Sequence, residues 1–187
     1  MAVAAHAAGH ATYNRPGIRT LGLWLFFLSE TFLFAALLAG RFYLAGTDSP
    51  EHLDQVLGLA ITCILLLSSA TAYTAEVAIS KGYRGWAQLC VLLTIVLGLV
   101  FFGGVVLEWS TAEFSQGEPY GTAFFSMTGL HASHVLSGVA MLILVQWLML
   151  RGSFSANDHW GLEATIKYWH FVDVVWVFFY PALYLVN

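Results

Sequence analysis

Hydrophobic residues run in long stretches along this chain, and polar residues gather in short connections between them. Five stretches reach the roughly 20 residues that a helix needs to cross a hydrocarbon core about 30 Å thick. They are, approximately, Leu21–Leu44, Leu53–Ala78, Ala87–Leu107, Thr122–Leu150 and Thr165–Val186. The pattern predicts an all-α fold, a polytopic membrane helix bundle with five transmembrane helices across residues 21–187. Residues 1–20 are expected to form a flexible cytoplasmic tail. The connections leave no room for a separate soluble domain, so any chemistry must sit in the bundle or belong to partners.

Composition agrees with lipid as the solvent. Of the 187 residues, 59% are hydrophobic and 10% charged, where soluble domains carry about 25% charged residues. The Ala-rich start is not patterned as a signal peptide, because Arg15 and Arg19 follow the weakly apolar part instead of preceding it. His6 and His10 in that segment lack partners for a metal site.

Charge sets an orientation. With the N-terminus cytoplasmic, that side holds Arg15, Arg19, Lys81, Arg84, Arg151 and Lys167, and the other side holds Arg41. Six of the seven basic residues thus fall on one side, the pattern expected of cytoplasmic loops. Asp48, Glu51, Asp54, Glu108, Glu113 and Glu118 fall outside, as does the C-terminus. Cys63 and Cys90 lie within spans, where packing as small hydrophobes is the default, and their spacing suggests neither a disulfide framework nor a zinc site.

Ionisable groups inside a bilayer are costly, so each needs a partner or a role. Glu30 lies nine residues past Leu21, about 14 Å deep at 1.5 Å per residue, and His131 or His134 on the fourth span can serve as its partner. Those two histidines share a helical face with Gly138. The fifth span carries Trp169, Asp173, Trp176 and Tyr180 at helical spacing, with His170 beside Asp173. Thr62, Ser69, Tyr73 and Glu76 share a face of the second span. Gly129, Ser133 and Ser137 repeat every four residues, a spacing that lets membrane helices approach closely. The histidines admit two readings, haem or copper ligation and hydrogen bonding across the bundle. Ligand number disfavours the first: few histidines are available, and no loop carries the paired cysteines of a dinuclear copper site. His170 and Asp173 admit a proton relay or a hydrogen-bonded joint between helices, and no further chain of acids continues along the span to support a relay.

These residues stand in words that resemble one family. YWHFVDVVWVFFY at Tyr168–Tyr180 is similar to the C-terminal signature of subunit III of haem-copper oxidases. GLHASHVLSG at Gly129–Gly138, HWGLEA at His159–Ala164 and FFLSETFLF around Glu30 are similar to further parts of that family. Ser68, Ser69, Thr71, Leu97, Gly98, Glu108 and Trp109 fit as well. The resemblance covers the chain from about Leu21 and is to the short five-helix bacterial form. It departs at Val105 and Ile61, where many members carry polar residues.

The resemblance implies a non-catalytic core subunit of a bacterial proton-pumping terminal oxidase, cytochrome c oxidase, in the electron transport chain of aerobic respiration. It implies oxidase subunits I and II as partners, with haem and copper held there and no redox centre or metal in this chain. It also implies bound phospholipid, a place in the cell inner membrane, and a part in sustaining proton uptake. No nucleic acid partner is expected. The implied site residues are a buried acid and its hydrogen-bond network, Glu30, His131, His134, His170 and Asp173. Trp169, Trp176, Tyr180 and Gly138 are implied in helix packing or subunit contact, and His159 and Glu163 in a loop motif. Glu30 leans toward cytochrome c as donor, since some quinol oxidases carry Asp there. A quinol oxidase subunit III and an accessory subunit of a nitric oxide reductase remain open, with a small transporter or b-type cytochrome as more distant readings.

Overall fold

A computed structural model of the chain describes residues 15–47 and 54–186. It contains five helices, α1 Arg15–Ala45, α2 Gln55–Ser80, α3 Arg84–Thr111, α4 Pro119–Leu150 and α5 Trp160–Tyr180, and a π-helical turn at Pro181–Leu185. His6, His10, Asp48 and Glu51 lie outside the described residues.

The helices are longer than the apolar runs that announce them. α1 has 31 residues, about 46 Å at 1.5 Å per residue, and begins at Arg15, inside the segment expected as a tail. Such a helix overshoots a hydrocarbon core of about 30 Å, which lets Arg19 stand beyond the lipid tails. α5 likewise begins five residues before the expected Thr165, so Glu163 belongs to its first turn and not to a loop. An acid there is favoured by the exposed N–H groups of the helix start.

Local signals set the boundaries. The Asp54 carboxylate accepts the N–H of Leu57 at 2.9 Å and caps α2. Pro119 opens α4, where a missing N–H costs nothing. Gly82 and Gly152 take φ of 82° and 80°, the left-handed geometry that reverses the chain after α2 and α4.

α2, α3, α4 and α5 form a closed ring, each packed on its two neighbours, and α1 lies outside it against α4 and α5. The Arg19 guanidinium sits 5.4 Å from the centre of the Trp160 ring, joining the starts of α1 and α5. At the opposite end Tyr184, after α5, reaches Glu108 near the end of α3. α1 to α4 are each long and apolar enough to cross a membrane. α5 is shorter and carries Glu163, Lys167, His170 and Asp173, but with its π turn it runs from one end of the ring to the other. Outward positions remain apolar, as at Leu25, Phe32, Leu93, Val100, Leu144 and Val177.

Close packing centres on Trp169, which is 1% exposed. A β-carbon at Gly98 would stand 2.5 Å from its ring, and one at Gly138 would stand 2.8 Å away. The two glycines, on α3 and α4, therefore form a slot that only a bare backbone leaves open. A β-carbon at Gly104 would likewise meet Ile61 at 2.3 Å. Of the expected stripe of Gly129, Ser133 and Ser137, Ser133 is exposed, Ser137 Oγ lies 2.6 Å from the Tyr168 hydroxyl of α5, and a β-carbon at Gly129 meets Trp109 only at ordinary contact distance. Cys90 packs in the core as expected, whereas Cys63 faces outward.

Candidate functional site

Polar side chains collect at the middle of the bundle. Glu30 is the sixteenth of the 31 residues of α1, and His134 the sixteenth of the 32 of α4. Ser68 and Ser69 stand at the centre of the 26-residue α2. Trp169, His170 and Asp173 come from the middle of the run formed by α5 and its π turn. Equal depth brings these residues into one layer although they are far apart in sequence.

Glu30 meets His134: Oε2 lies 3.1 Å from Nε2. The other ring nitrogen, Nδ1, lies 2.9 Å from the Leu130 carbonyl of its own helix. Phe34 closes on the imidazole edge-on at 4.8 Å. Of the two histidines that could have met Glu30, His134 does so. His131, three residues earlier, is turned about 60° away and points into the ring. It is fully buried, with Trp176 at 4.7 Å and Phe101 at 5.6 Å, and neither ring nitrogen has a hydrogen-bond partner among the described residues. Its contacts are aromatic.

Hydroxyls on α2 receive polar groups from α5 in a ladder. Trp169 Nε1–H donates to Ser68 Oγ at 2.9 Å, and Trp176 Nε1–H donates to Thr62 Oγ1 at 2.9 Å. Beside the first of these, Ser69 Oγ and His170 Nδ1 lie 2.6 Å apart. Buried indoles need acceptors, and in a bilayer only neighbouring helices supply them. Tyr73, expected on the same face as these hydroxyls, points outward instead.

Asp173 is 4% exposed, and neither carboxylate oxygen has a hydrogen-bond partner among the described residues. Ser69 faces it but is bonded to His170. The joint between α2 and α5 is thus made by His170 with Ser69, and Asp173 sits beside it. Gly138 and Trp176 are buried with Trp169, while Tyr180 is half-buried and stacks on Tyr184 at 5.1 Å.

Two further clusters mark the ends of the bundle. At the start of α5, His159 precedes the helix with Nδ1 3.1 Å from the Ser155 carbonyl, and Glu163 pairs with Lys167 one turn on. At the other end, Glu108 is 4% exposed and not among the solvated acids that surround it in sequence. The Tyr184 hydroxyl donates between its two oxygens, 2.7 Å from each. Tyr120 OH donates to the Leu183 carbonyl at 2.7 Å, and the buried Arg41 guanidinium lies 4.7 Å from the Tyr120 ring centre. The sequence offered Glu108 and Trp109 as family words but no sign of this lock, because Tyr184 is 76 residues away. Val105 and Ile61 are buried in the apolar core.

A groove of about 640 Å³ runs between α1 and α5, walled by Trp24, Phe27, Leu28, Thr31, Phe171 and Val174, with Lys167 and His170 as its polar members. Among the described residues no three His, Cys, Asp or Glu side chains converge in a manner suited to a metal ion.

Residues 1–187 match the protein family described as cytochrome c oxidase subunit III. The chain is 34% identical to the cytochrome c oxidase subunit 3 of Thermostichus vulcanus over 192 residues, covering 97% of this chain and 93% of that protein. It is 34% identical to the subunit 3 of Coturnix japonica over 190 residues, 94% of this chain and 72% of that one. With the subunit 3 of Neurospora crassa it shares 37% identity over 177 residues, 88% of this chain and 66% of that one.

Proposed function

The chain belongs to the cytochrome c oxidase subunit III family, and from that premise we propose that it braces a bacterial proton-pumping terminal oxidase. In this reading the complex takes electrons from cytochrome c to dioxygen in the inner membrane, and this chain holds subunits I and II in their working state. Haem and copper reside in those partners. The observation that carries the reading is the full-length family match, joined to a layer whose polar groups are largely engaged in holding helices together: Ser68 with Trp169, Thr62 with Trp176, Ser69 with His170 and Glu30 with His134. Such a layer serves a scaffold.

The groove between α1 and α5 is our candidate seat for phospholipid. Its walls are apolar and Lys167 stands near the end where α5 begins, which suits acyl chains below an anionic headgroup. The six-to-one split of basic residues supports a cytoplasmic N-terminus, with the Tyr184–Glu108 end outside in this reading.

The test is purification of the tagged full-length chain in mild detergent. The expected result is co-purification of two larger membrane proteins, with all haem and copper in them, and dioxygen uptake driven by reduced cytochrome c. A complex that takes electrons only from quinol, or that reduces nitric oxide, would assign the chain to another oxidoreductase. Haem travelling with this chain alone would overturn the scaffold reading.

A further inference from the structure

We infer that Asp173 exchanges a proton with the membrane face at which α5 begins, along a polar track between α2 and α5 that passes through His170 and Ser69. Spacing lays out the track. On α5, Glu163, Lys167, His170 and Asp173 follow one another at intervals of four, three and three residues, so they share one side of the helix. Ser69 and Glu76, seven residues apart on α2, share the side that meets them. Ser69 Oγ lies 2.6 Å from His170 Nδ1, and Glu76 is faced by Glu163, Lys167 and His159. Acids alone do not make this series; a lysine, a histidine and the second helix complete it. From Glu163 to Asp173 it rises about 15 Å at 1.5 Å per residue, half of a hydrocarbon core of about 30 Å. There it stops. One turn beyond Asp173 the seam is closed by Trp176, whose Nε1–H donates to Thr62.

At the inner end, donors and acceptors form two complete chains. Asp173 is 4% exposed, and neither of its oxygens has a partner among the described residues. Ser69 faces it and has a single hydroxyl hydrogen. When His170 Nδ1 bears a hydrogen, Nδ1–H donates to Ser69 Oγ, and the hydroxyl is free to donate to the Asp173 carboxylate. When Nδ1 is bare, the hydroxyl donates to it, and Asp173 joins the chain as a carboxylic acid donating to Ser69 Oγ. The two chains differ by one proton moved along each bond. Nδ1–H breaks as a new Oγ–H forms, and the old Oγ–H breaks as Asp173 O–H forms. Imidazolium and carboxylate become imidazole and carboxylic acid, with total charge unchanged and the serine regenerated.

His170 links this chain to the membrane face. It is half-buried and lines the groove between α1 and α5 together with Lys167, so its ring stands between that space and the seam. Lys167 pairs with Glu163 one turn nearer the start of α5. On the α1 side the groove presents Trp24, Phe27, Leu28 and Thr31, none of them charged, and Glu30 of that helix is turned to His134 of α4. Asp173 thus receives its proton from one side of the membrane only. In the orientation proposed above, that side is the cytoplasm.

The experiment places the purified complex, with the complete chain, in sealed vesicles sorted into one orientation. Infrared spectroscopy then follows the carboxyl signal of Asp173, identified by its loss in Asp173→Asn, after a pH step on one side. The signal should change promptly when the step is made on the side carrying the connection between α4 and α5, and lag when it is made on the other. Ser69→Ala should slow the prompt change by about a hundredfold, and Ser69→Thr, which keeps a hydroxyl, should restore it. If Ser69→Ala does not assemble, the side dependence of the parent still decides. The readout needs no turnover, so it stands whichever donor feeds the complex. A prompt response from the opposite side, no response from either side, or an equal rate in Ser69→Ala would overturn the inference.

Discussion

A β-carbon at Gly138 would stand 2.8 Å from the Trp169 ring, and that ring is pinned on its far side by its bond to Ser68. It cannot retreat without breaking a buried hydrogen bond, so Gly138→Ala should cost about 1–3 kcal/mol through overpacking. The expected readout is a lower midpoint of thermal inactivation in detergent. Gly129→Ala, where the new carbon meets only ordinary contact, should leave that midpoint unchanged, and equal effects of the two substitutions would contradict the slot. Individual partners were only partly legible at this scale. The sequence showed that Glu30 needs a partner at mid-membrane and offered His131 or His134. Both are equally deep, and the choice turns on where α1 docks, which depends on Phe27 and Phe34 packing on α4 and α5. Asp173 and His170 read as one joint from their spacing. In the fold Ser69 of α2 takes His170 away from it, a competition visible only once α2 and α5 are side by side.

Helix ends lock the elements to one another. Pro181 cannot donate the hydrogen bond that would continue α5 regularly, and the chain widens there into a π turn, a departure often found at functional positions. The turn is held by Tyr184 on Glu108, by Tyr120 on the Leu183 carbonyl, and by Gln55 Nε2–H donating to the Tyr184 carbonyl at 3.3 Å. Tyr184→Phe removes the donor of a buried carboxylate, so it should cost about 1–3 kcal/mol or more. Hydrogen exchange should quicken at residues 182–186 and near 108. Exchange that rises evenly over the whole chain, or not at all, would count against a local lock. The hydrophobic pattern placed this proline near the outer end of a span. It could not show that the last turn folds back on α3, because Glu108 looks like one more acid in an acidic loop.

At the scale of the molecule, hydrophobic run length was enough to reveal five helices and their order, since each run exceeds what a soluble connection would carry. The position of α1 outside a ring of four was not legible. Its apolar residues cover most of its surface, and lipid and protein are equally apolar neighbours for a leucine. The seven-residue repeat of the buried Phe27, Phe34 and Arg41 marks the inward stripe, on which Glu30 also meets His134. The alternation of the helices puts the end of the π turn opposite the start of α1. A reporter active only in the cytoplasm, fused after Asn187, should stay silent, and activity there would reverse the orientation.

In the proposed role this chain sustains chemistry that its partner subunits perform. The most direct test of that role is continuous dioxygen uptake by the purified complex with and without this chain, under reduced cytochrome c in excess. The expected result is an initial rate of the same order in both preparations, followed by early loss of activity only where the chain is missing. Haem and copper content should be equal in the two at the start. An initial rate near zero without the chain, with haem or copper lost in stoichiometric proportion, would contradict it.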